Sequence, residues 1–302
     1  MKPKIITKRD PFASPLRYPG GKACLGGFLG NVIRSNGLQD CTYYEPYAGG
    51  AGAALSLLIG GTVSEIFIND ADERIYAFWD SALNHSEQFI EKVLKTPLSI
   101  QEWHRQREIC GEPRGHAQLD IGFSAFYMNR CNRSGVLIGA GPIGGFEQAG
   151  EWKLDVRFTR ETLAQRLRVL ANLKERIKIS HLDALEFLRA KLPRGLGRNR
   201  VFVYLDPPYV EKGRRLYLNA YLEADHRALA DYICRQKTLP WLMSYDDAEL
   251  IREIYAEMKM DAQPIRYSLQ NKRTARELII TPHHVVISGT DQHTIKASNP
   301  PS

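Results

Sequence analysis

Residues 201–210 read VFVYLDPPYV, a run of strand-forming residues that ends in a carboxylate, two prolines and an aromatic ring. Proline has no N–H for a strand ladder and fixes φ, so Pro207 and Pro208 end the strand and stiffen the chain that follows. A tight turn that caps a sheet explains the prolines but leaves the choice of Asp206 and Tyr209 open. The Asp206 carboxylate and the Pro207 carbonyl both accept hydrogen bonds, and Tyr209 offers a flat face. The stretch therefore suits either a simple turn or a pocket that holds a planar base by its amino group.

The composition is that of a soluble globular protein. The chain has 302 residues, of which 43% are hydrophobic and 25% charged, a length that suffices for one large domain or two ordinary ones. Its net charge of +7 favours a polyanionic partner. The five cysteines are scattered without a Cys-x-x-Cys pair, which argues against a zinc knuckle or a disulfide framework. No stretch approaches the ~20 apolar residues of a membrane span, so we expect a cytoplasmic protein.

Short apolar runs alternate with stretches of helical spacing along most of the chain. The runs are CTYYEPY (41–47), VSEIFIND (63–70), RIKISHLD (176–183), VFVYLDPPY (201–209), PWLMSYDD (240–247) and ELIITP (277–282). Helical spacing is found in residues 159–174, where four leucines share one face, and in residues 225–237. Strands that alternate with helices predict an α/β fold with a mostly parallel sheet. Ligands of such sheets bind beyond the carboxyl ends of the strands, where Asp70, Asp183 and Asp206 are expected.

Residues 75–155 interrupt this alternation and predict an inserted module. They begin with helical patterns and continue into a glycine-rich stretch, residues 134–152, that suits a hairpin or an extended loop. We therefore expect a catalytic α/β domain made of residues 1–74 and 156–287, with the insert between its two parts. The polar tail, residues 288–302, is predicted to be disordered.

A glycine loop between a strand and a helix provides a candidate ligand site. In CTYYEPYAGGAGAAL (41–55), glycines let the backbone approach a ligand and the following helix N-terminus supplies free N–H groups, although many such loops serve only packing. Asp70 ends the next strand, which is where a carboxylate holds a ribose in dinucleotide-binding folds. A second candidate is the Pro-Gly-Gly turn between Tyr18 and Lys22. There, an aromatic ring and a cation either flank a bound nucleoside or simply lie at the surface.

Four motifs in a fixed order carry a resemblance to a known family. The chain resembles the Dam-type, alpha-subgroup DNA adenine-N6 methyltransferases, which use S-adenosylmethionine, in RYPGGK (17–22), EPYAGGAG (45–52), IFIND (66–70) and YLDPPY (204–209). The resemblance covers nearly the whole chain. It implies a Rossmann-like methyltransferase fold with a mostly parallel seven-stranded sheet and an inserted, mainly helical target-recognition module with a hairpin-like loop. One departure is Ala51, which stands where the family usually has the second glycine of Gly-x-Gly.

The resemblance implies which residues bind the methyl donor and the target base. The donor site would be lined by Tyr18, Lys22, Glu45, Tyr47, Gly49, Asp70, Ser180, Asp183 and Asp206. Asp70 would hold the ribose hydroxyls, and Ser180 to Asp183 would flank the adenine of the donor. The target site would be the catalytic DPPY motif, which consists of Asp206, Pro207, Pro208 and Tyr209.

The insert supplies most of the residues that the resemblance assigns to DNA. Its segment AFYMNRCNRSG (125–135) resembles the start of the family's DNA-contacting part, with candidate contacts at Asn129, Arg130, Asn132, Arg133 and Ser134. Arginine suits guanine and phosphate, and amides suit adenine, yet these arginines taken alone could equally be ordinary surface cations. A second basic segment, residues 267–277, occupies the position of a DNA-facing loop and adds Lys272 and Arg273.

Together these features predict a site-specific DNA methyltransferase. The hypothesis is that a methyl group passes from S-adenosylmethionine to the N6 amino group of a flipped-out adenine in double-stranded DNA, in a restriction–modification, phage or orphan role. Neither a metal nor a covalent intermediate nor a membrane partner is expected. We expect a monomer, with a dimer on DNA as the alternative. Two rival functions stay open: methylation of an amino group of RNA, protein or cytosine, and a catalytically silent DNA-binding module.

Overall fold

The computed structural model describes residues 14–17, 25–210, 221–266 and 274–287 of the chain. Seven strands form one sheet: β1 (Cys41–Glu45), β2 (Val63–Asn69), β3 (Ile177–Ser180), β4 (Val201–Leu205), β5 (Trp241–Asp246), β6 (Lys259–Arg266) and β7 (Thr274–Thr281). Their order across the sheet is β3-β2-β1-β4-β5-β7-β6. Strand β7 runs antiparallel to β5 and β6, and the other neighbouring pairs are parallel. The mostly parallel seven-stranded sheet expected from the sequence is confirmed.

Strand β4 lies at the centre of the sheet because both of its faces are apolar. All five of its residues are buried. Phe202 and Tyr204 belong to the hydrophobic cluster on one face of the sheet, and the other three residues belong to the cluster on the opposite face. Side chains of a strand alternate between faces, so a continuous apolar run suits a strand that is covered on both sides. The strand order reverses between β1 and β4, and ligands of open α/β sheets bind beside such a switch point.

The edge strand β6 is the one strand of the sheet that the sequence analysis does not predict. Its sequence, KMDAQPIR, mixes polar with apolar residues and contains Pro264, which cannot donate to a ladder. Proline and charged residues are typical of edge strands, where they discourage pairing with other chains. Each of the six predicted apolar runs contains part of a strand. The tail that we predict to be disordered, residues 288–302, lies outside the described residues.

Ten α-helices accompany the strands in the described part of the chain. They are α1 (Gly26–Ser35), α2 (Gly52–Ile59), α3 (Glu73–Asn84), α4 (Ser86–Lys95), α5 (Ile100–Gly111), α6 (Gln118–Cys131), α7 (Arg160–Asn172), α8 (Ala184–Lys191), α9 (Glu223–Cys234) and α10 (Glu249–Ile254). The side chains of Asp72, Ser99 and Asp183 cap α3, α5 and α8 by accepting hydrogen bonds from the first turn. None of these helices is both long and apolar enough to cross a bilayer.

Helices α3 to α6, which make up most of the predicted insert, share a core with the sheet. Phe78, Phe89 and Phe126 pack with ring centroids 5.5–5.9 Å apart. These rings belong to the same hydrophobic cluster as Phe202 of β4. The predicted start of the insert at residue 75 falls inside α3, and its predicted end falls inside a short 3-10 helix, Leu154–Arg157. The division of the chain into two domains stays a prediction.

The glycine-rich stretch 134–152 consists of turns and is hairpin-like only at its base. All of its residues are described and none lies in a strand. An isolated antiparallel bridge joins Asn132 to Pro142, and the Ile143 N–H donates to the Cys131 carbonyl at 2.8 Å. Several of its glycines adopt positive φ, which other residues rarely do.

Close packing of α6 on α3 predicts that Gly122 tolerates no side chain. A Cβ at Gly122 would lie 2.6 Å from the Ser81 hydroxyl oxygen and would also collide with the Ala77 carbonyl. We expect Gly122→Ala to lower the free energy of unfolding by about 1–3 kcal/mol in urea titrations. The matched control is Gly111→Ala at the end of α5, where a Cβ meets nothing within 4 Å and helix propensity favours alanine by up to about 1 kcal/mol. Equal stabilities of the two variants would contradict this packing.

Candidate active site

Asp206 follows β4 directly and is held by a hydroxyl of the neighbouring strand. The Ser244 hydroxyl on β5 donates to Asp206 Oδ1 at 2.8 Å. The Tyr204 hydroxyl lies 2.8 Å from Ser244 Oγ. Because serine has one hydroxyl hydrogen and it is directed to Asp206, Tyr204 donates to Ser244. Tyr204 and Ser244 are fully buried, whereas Asp206 is half-buried, so two core strands fix a carboxylate at the edge of the sheet.

The rest of the DPPY motif is braced by β5 and β7. The Tyr209 hydroxyl donates to Glu277 of β7. Burial, together with the charges of Asp206 and Glu277, raises the pKa of Tyr209 well above its ordinary value, which keeps this hydroxyl protonated as a donor. The Val210 N–H donates to Asp246 Oδ1 at 3.1 Å. The turn is therefore tied to the sheet on both sides of its two prolines.

Asn69, the last residue of β2, joins the loops that follow three strands. Its amide nitrogen donates to the carbonyls of Pro46, after β1, and Leu182, after β3, at 3.0 and 2.9 Å. Its amide oxygen accepts from the Ser180 hydroxyl at 2.8 Å and from the Leu182 N–H at 3.0 Å. Ser180, predicted to flank the donor adenine, therefore directs its hydroxyl hydrogen to Asn69. The side chain of Asn69 is buried and fixes the loops of the predicted donor site relative to one another.

Asp70 connects the glycine loop to the end of β2. Its Oδ2 accepts from the Gly49 N–H at 2.8 Å, and its Oδ1 accepts from the Asp72 N–H at 2.9 Å. The Gly49 carbonyl accepts from the Trp79 indole N–H at 2.9 Å. Burial raises the pKa of Asp70 to about 7. The glycine loop and Asp70, some 20 residues later in the chain, are thus hydrogen-bonded directly to each other.

Ala51 occupies a left-handed backbone conformation, with φ of +46°, immediately before α2. Glycine is favoured in this conformation, and a residue with a Cβ is less stable there by about 1–2 kcal/mol. The alanine that departs from the family pattern therefore keeps the turn geometry that a glycine would adopt more easily.

Glu45 and Tyr47 lie where β1 enters the glycine loop. Glu45 is 4% exposed, and its Oε2 has no hydrogen-bond partner in the described part of the chain. Burial raises the pKa of Glu45 to about 8, and the charge of Asp206 contributes to this rise. The Tyr47 hydroxyl lies 2.7 Å from that of Tyr221, and the two rings meet edge to face. A buried carboxyl oxygen without a partner is a group that a ligand with a donor or a positive charge would satisfy.

Three of the predicted donor-site residues remain, and one of them, Asp183, lies in the described part of the chain. Asp183 is exposed and caps α8, with its Oδ1 accepting from the N–H groups of Leu185 and Glu186. Tyr18 and Lys22 lie outside the described residues. Within the described ranges, no group of three or more His, Cys, Asp or Glu side chains could hold a metal ion.

The predicted DNA contacts fall into a buried set and an exposed set. Asn129, Arg130 and Asn132 are at most 6% exposed. Their side chains donate to backbone carbonyls of Arg17, Gly135, Pro15, Val136 and Leu137, and Asn132 also accepts from Trp103 Nε1. A DNA contact by these three residues would require them to leave these partners, and it stays a prediction.

Arg133 and Ser134 are exposed, directly beyond the end of α6. They are the described members of the predicted set whose side chains face solvent. Lys272 and Arg273 lie outside the described residues.

A comparison with protein families identifies the family of the chain. The family model of D12 class N6 adenine-specific DNA methyltransferases matches residues 18–274. The chain belongs to this family. It is an adenine-specific DNA methyltransferase that uses S-adenosylmethionine to methylate adenine N6 in DNA, as the sequence motifs predict. Base flipping and participation in restriction–modification are typical of the family. A search of curated proteins found no match.

The residues that position the DPPY motif of this methyltransferase are not predicted from its sequence. Ser244 and Asp246 lie in PWLMSYDD, where the acid at the strand end was the available signal. Glu277 begins ELIITP, and nothing in that run distinguishes it from a solvent-exposed acid. Asn69 precedes Asp70 in IFIND. A polar residue at the end of a strand does not by itself indicate that its side chain joins neighbouring loops.

The raised pKa of Glu45 predicts a pH-dependent loss of stability. The folded protein binds this proton more tightly than the unfolded chain, so the free energy of unfolding falls as pH rises from the ordinary value of 4.5 to about 8. The slope from one group is at most about 1.4 kcal/mol per pH unit. We expect Glu45→Gln to remove this contribution in urea titrations between pH 5 and 8.5, and the exposed Glu249→Gln to leave it in place. Parallel curves for wild type and Glu45→Gln would refute it.

Proposed function

We propose that the DPPY motif holds the adenine amino group for methyl transfer. The Asp206 carboxylate and the Pro207 carbonyl accept the two amino hydrogens, and the Tyr209 ring stacks on the base. The observation that carries the proposal is the fixed carboxylate: Asp206 is tied to Ser244 of the buried strand β5, at the edge where ligands of such sheets bind. Pro208 keeps the turn rigid, since its ring fixes φ.

The proposed role of these acceptors is to prepare the nitrogen lone pair. In adenine this lone pair is delocalised into the ring, and two in-plane acceptors favour a more tetrahedral nitrogen whose lone pair leaves the plane. S-adenosylmethionine supplies the methyl group from its sulfonium, so the nitrogen forms the new N–C bond as the S–C bond breaks and sulfur keeps its electrons. Asp206 then faces the hydrogen that N6 must lose. Positioning and preorganised electrostatics account for the acceleration, and no metal takes part.

The donor would lie along the carboxyl ends of β1, β2 and β3. Glu45 offers its unpartnered Oε2 there, Asp70 and Gly49 shape the loop, and Tyr47 adds an aromatic face. These residues fit a cationic donor that carries a nucleoside, because they combine carboxylates with an aromatic ring.

The ribose and the donor adenine would lie further along the same edge. Asp70 is proposed to hold the ribose hydroxyls, and Asp183 to lie beside the donor adenine. Ser180 contributes through Asn69, which receives its hydrogen bond. Tyr18 and Lys22 are proposed to complete the donor site.

The DNA side of the proposal uses the insert in two ways. Arg133 and Ser134, both exposed, contact the duplex directly. Asn129, Arg130 and Asn132 hold the backbone on which those contacts depend. Lys272 and Arg273 are proposed as further contacts. The substrate is double-stranded DNA bound by a monomer, with a dimer on DNA as the alternative.

Asp206→Asn tests the role of the carboxylate. The amide keeps the shape of the side chain but loses the charge, so we expect methyl transfer to fall by about 10²–10³-fold while DNA affinity changes little. Tritiated methyl incorporation into DNA and a filter-binding isotherm measure the two quantities. The control is Asp231→Asn, an exposed residue of α9, which removes the same charge outside the motif. Full activity of Asp206→Asn would rule out this mechanism. Long-read sequencing of DNA from an expressing, methylase-free host identifies the base that the wild-type enzyme modifies.

Tyr209→Phe tests the brace from β7. The substitution keeps the ring but removes the hydroxyl that donates to Glu277, so we expect kcat/KM to fall about tenfold, equivalent to about 1.4 kcal/mol. Tyr209→Ala should also weaken DNA binding, because base–aromatic stacking contributes about 1–3 kcal/mol. In a Glu277→Gln background the effect of Tyr209→Phe should shrink. The same fold-loss in both backgrounds would show that the hydroxyl does not act through Glu277.

A further inference from the structure

Tyr221, which lies two residues before the start of α9, contacts the glycine loop that follows β1. Its hydroxyl lies 2.7 Å from the hydroxyl of Tyr47, and the two rings meet edge to face with centroids 5.9 Å apart. Burial raises the pKa of both tyrosines above the ordinary value of 10, so both hydroxyls stay protonated and one donates to the other. The charge of Asp183 also raises the pKa of Tyr221. Tyr221 therefore lies near two residues that the proposed function assigns to the methyl donor.

A second contact of Tyr221 leads to the buried strand β5. Its ring meets the ring of His226 edge to face, with centroids 5.4 Å apart. His226 lies in the first turn of α9 and is 1% exposed. Its Nδ1 lies 2.6 Å from the hydroxyl of Tyr245, which is fully buried in β5. Tyr221 is thus supported by a side chain that is itself bonded to the core.

Tyr245 lies between the two residues of β5 that hold the DPPY turn. The Ser244 hydroxyl donates to Asp206, and the carboxylate of Asp246 accepts from the Val210 N–H. Successive side chains of a strand point to opposite faces, so Tyr245 faces away from both of its neighbours. Three consecutive residues of β5 therefore connect the target turn, on one side, with the contacts that lead to the glycine loop, on the other.

Packing alone explains the rings in this set of contacts but not the paired hydroxyls. Tyr47 and Tyr221 are both half-buried, and a ring that only fills apolar space needs no polar atom at its tip. A hydrogen bond depends on direction as well as on distance. The hydroxyl pair therefore restricts the orientation of the Tyr47 ring, the aromatic face that the proposed function places against the donor.

We propose that Tyr221 is a positioning residue of the methyl-donor site. Its hydroxyl fixes the ring of Tyr47, and its contact with His226 ties that ring to β5, the strand that also fixes Asp206. The inference rests on the proposed function, which places Tyr47 at the donor and Asp206 at the target base. A ring that is held in place before the donor binds loses less conformational freedom on binding. One strand then sets the positions of the groups that hold both substrates.

Tyr221→Phe tests the hydroxyl pair in the whole chain. The substitution keeps the ring and removes the hydrogen bond, so we expect the Kd for S-adenosylmethionine to rise between about twofold and tenfold. Isothermal titration calorimetry without DNA measures this Kd. The KM for the donor should rise by the same factor, while kcat at saturating donor and the Kd for DNA should keep their wild-type values.

The matched control is Tyr232→Phe, which removes a hydroxyl from a half-buried tyrosine of α9. The ring of Tyr232 packs against the guanidinium group of Arg189, 5.7 Å from its centroid, and lies outside the contacts described above. This variant should bind the donor as wild type does. Equal donor affinities of Tyr221→Phe and Tyr232→Phe would overturn the proposal. A Tyr221→Phe variant that lost kcat and DNA affinity as much as donor affinity would show a general structural role and would overturn it as well.

Tyr245→Phe tests the connection to β5. It removes the hydroxyl beside His226 Nδ1 and keeps the buried ring, so we expect donor binding to weaken by a smaller factor than in Tyr221→Phe. The control is Tyr255→Phe, because Tyr255 is equally buried and its hydroxyl makes no hydrogen bond in the described part of the chain. Donor affinities that are the same in these two variants would remove β5 from the proposal and leave Tyr221 without the support that it requires.

Substitutions of Tyr47 separate this inference from the proposed function. Adding Tyr221→Phe to Tyr47→Phe should weaken donor binding no further, because the hydrogen bond is already lost, and additive losses would overturn the inference. Tyr47→Ala removes the ring and should weaken donor binding more than Tyr221→Phe does. Wild-type donor affinity of Tyr47→Ala would take Tyr47 out of the donor site, and that part of the proposed function would fail. If Tyr47→Ala lost donor affinity and Tyr221→Phe did not, the donor site would stand and the inference alone would fail.

Discussion

The hydrogen bond from Ser244 to Asp206 couples the DPPY motif of this methyltransferase to its core. Strands β4 and β5 are buried along their whole length, so neither Tyr204 nor Ser244 can shift without disturbing a close-packed interior. Asp206 is positioned by two strands, although it lies in a turn. A direct methyl transfer depends mainly on how precisely the reacting groups are held. The hydrogen bond from Tyr209 to Glu277 fixes the motif to β7 in the same way. The amide of Asn69 likewise fixes the loops after β1 and β3.

Local sequence predicts the parts of this structure that depend on neighbours in the chain. The run VFVYL followed by two prolines predicts a buried strand that stops at Asp206, because the pattern and the proline chemistry are local. The partners of the site are not local. Ser244 is 38 residues from Asp206, and Glu277 is 68 residues from Tyr209. Only the strand order brings these pairs together, so no spacing within one motif could have identified the partner.

Burial decides roles that residue type leaves open. Asn129 and Arg130 have the side chains expected of DNA contacts, and the same donors serve equally well to bond backbone carbonyls inside the protein. In the structure they hold residues 15 and 17, more than 100 positions away in the chain. The same polar residues fit a contact to DNA or a hydrogen bond inside the protein. The pattern of the segment therefore does not distinguish the two roles. Exposure then marks Arg133 as the member that faces solvent.

At two places in the structure a buried ionisable group lies near others of the same charge. Burial raises the pKa of Glu45 and Asp70, and a further carboxylate lies near each, so we expect the proposed donor site to favour a cation. Burial lowers the pKa of Arg130, and the charges of three other arginines lower it further. Burial alone would shift either kind of group toward neutrality. For Glu45 the nearby charge of Asp206 adds to this shift, so a bound cation would stabilise its ionised form. The sulfonium of the methyl donor is such a cation, and the proposed donor site lies beside Glu45.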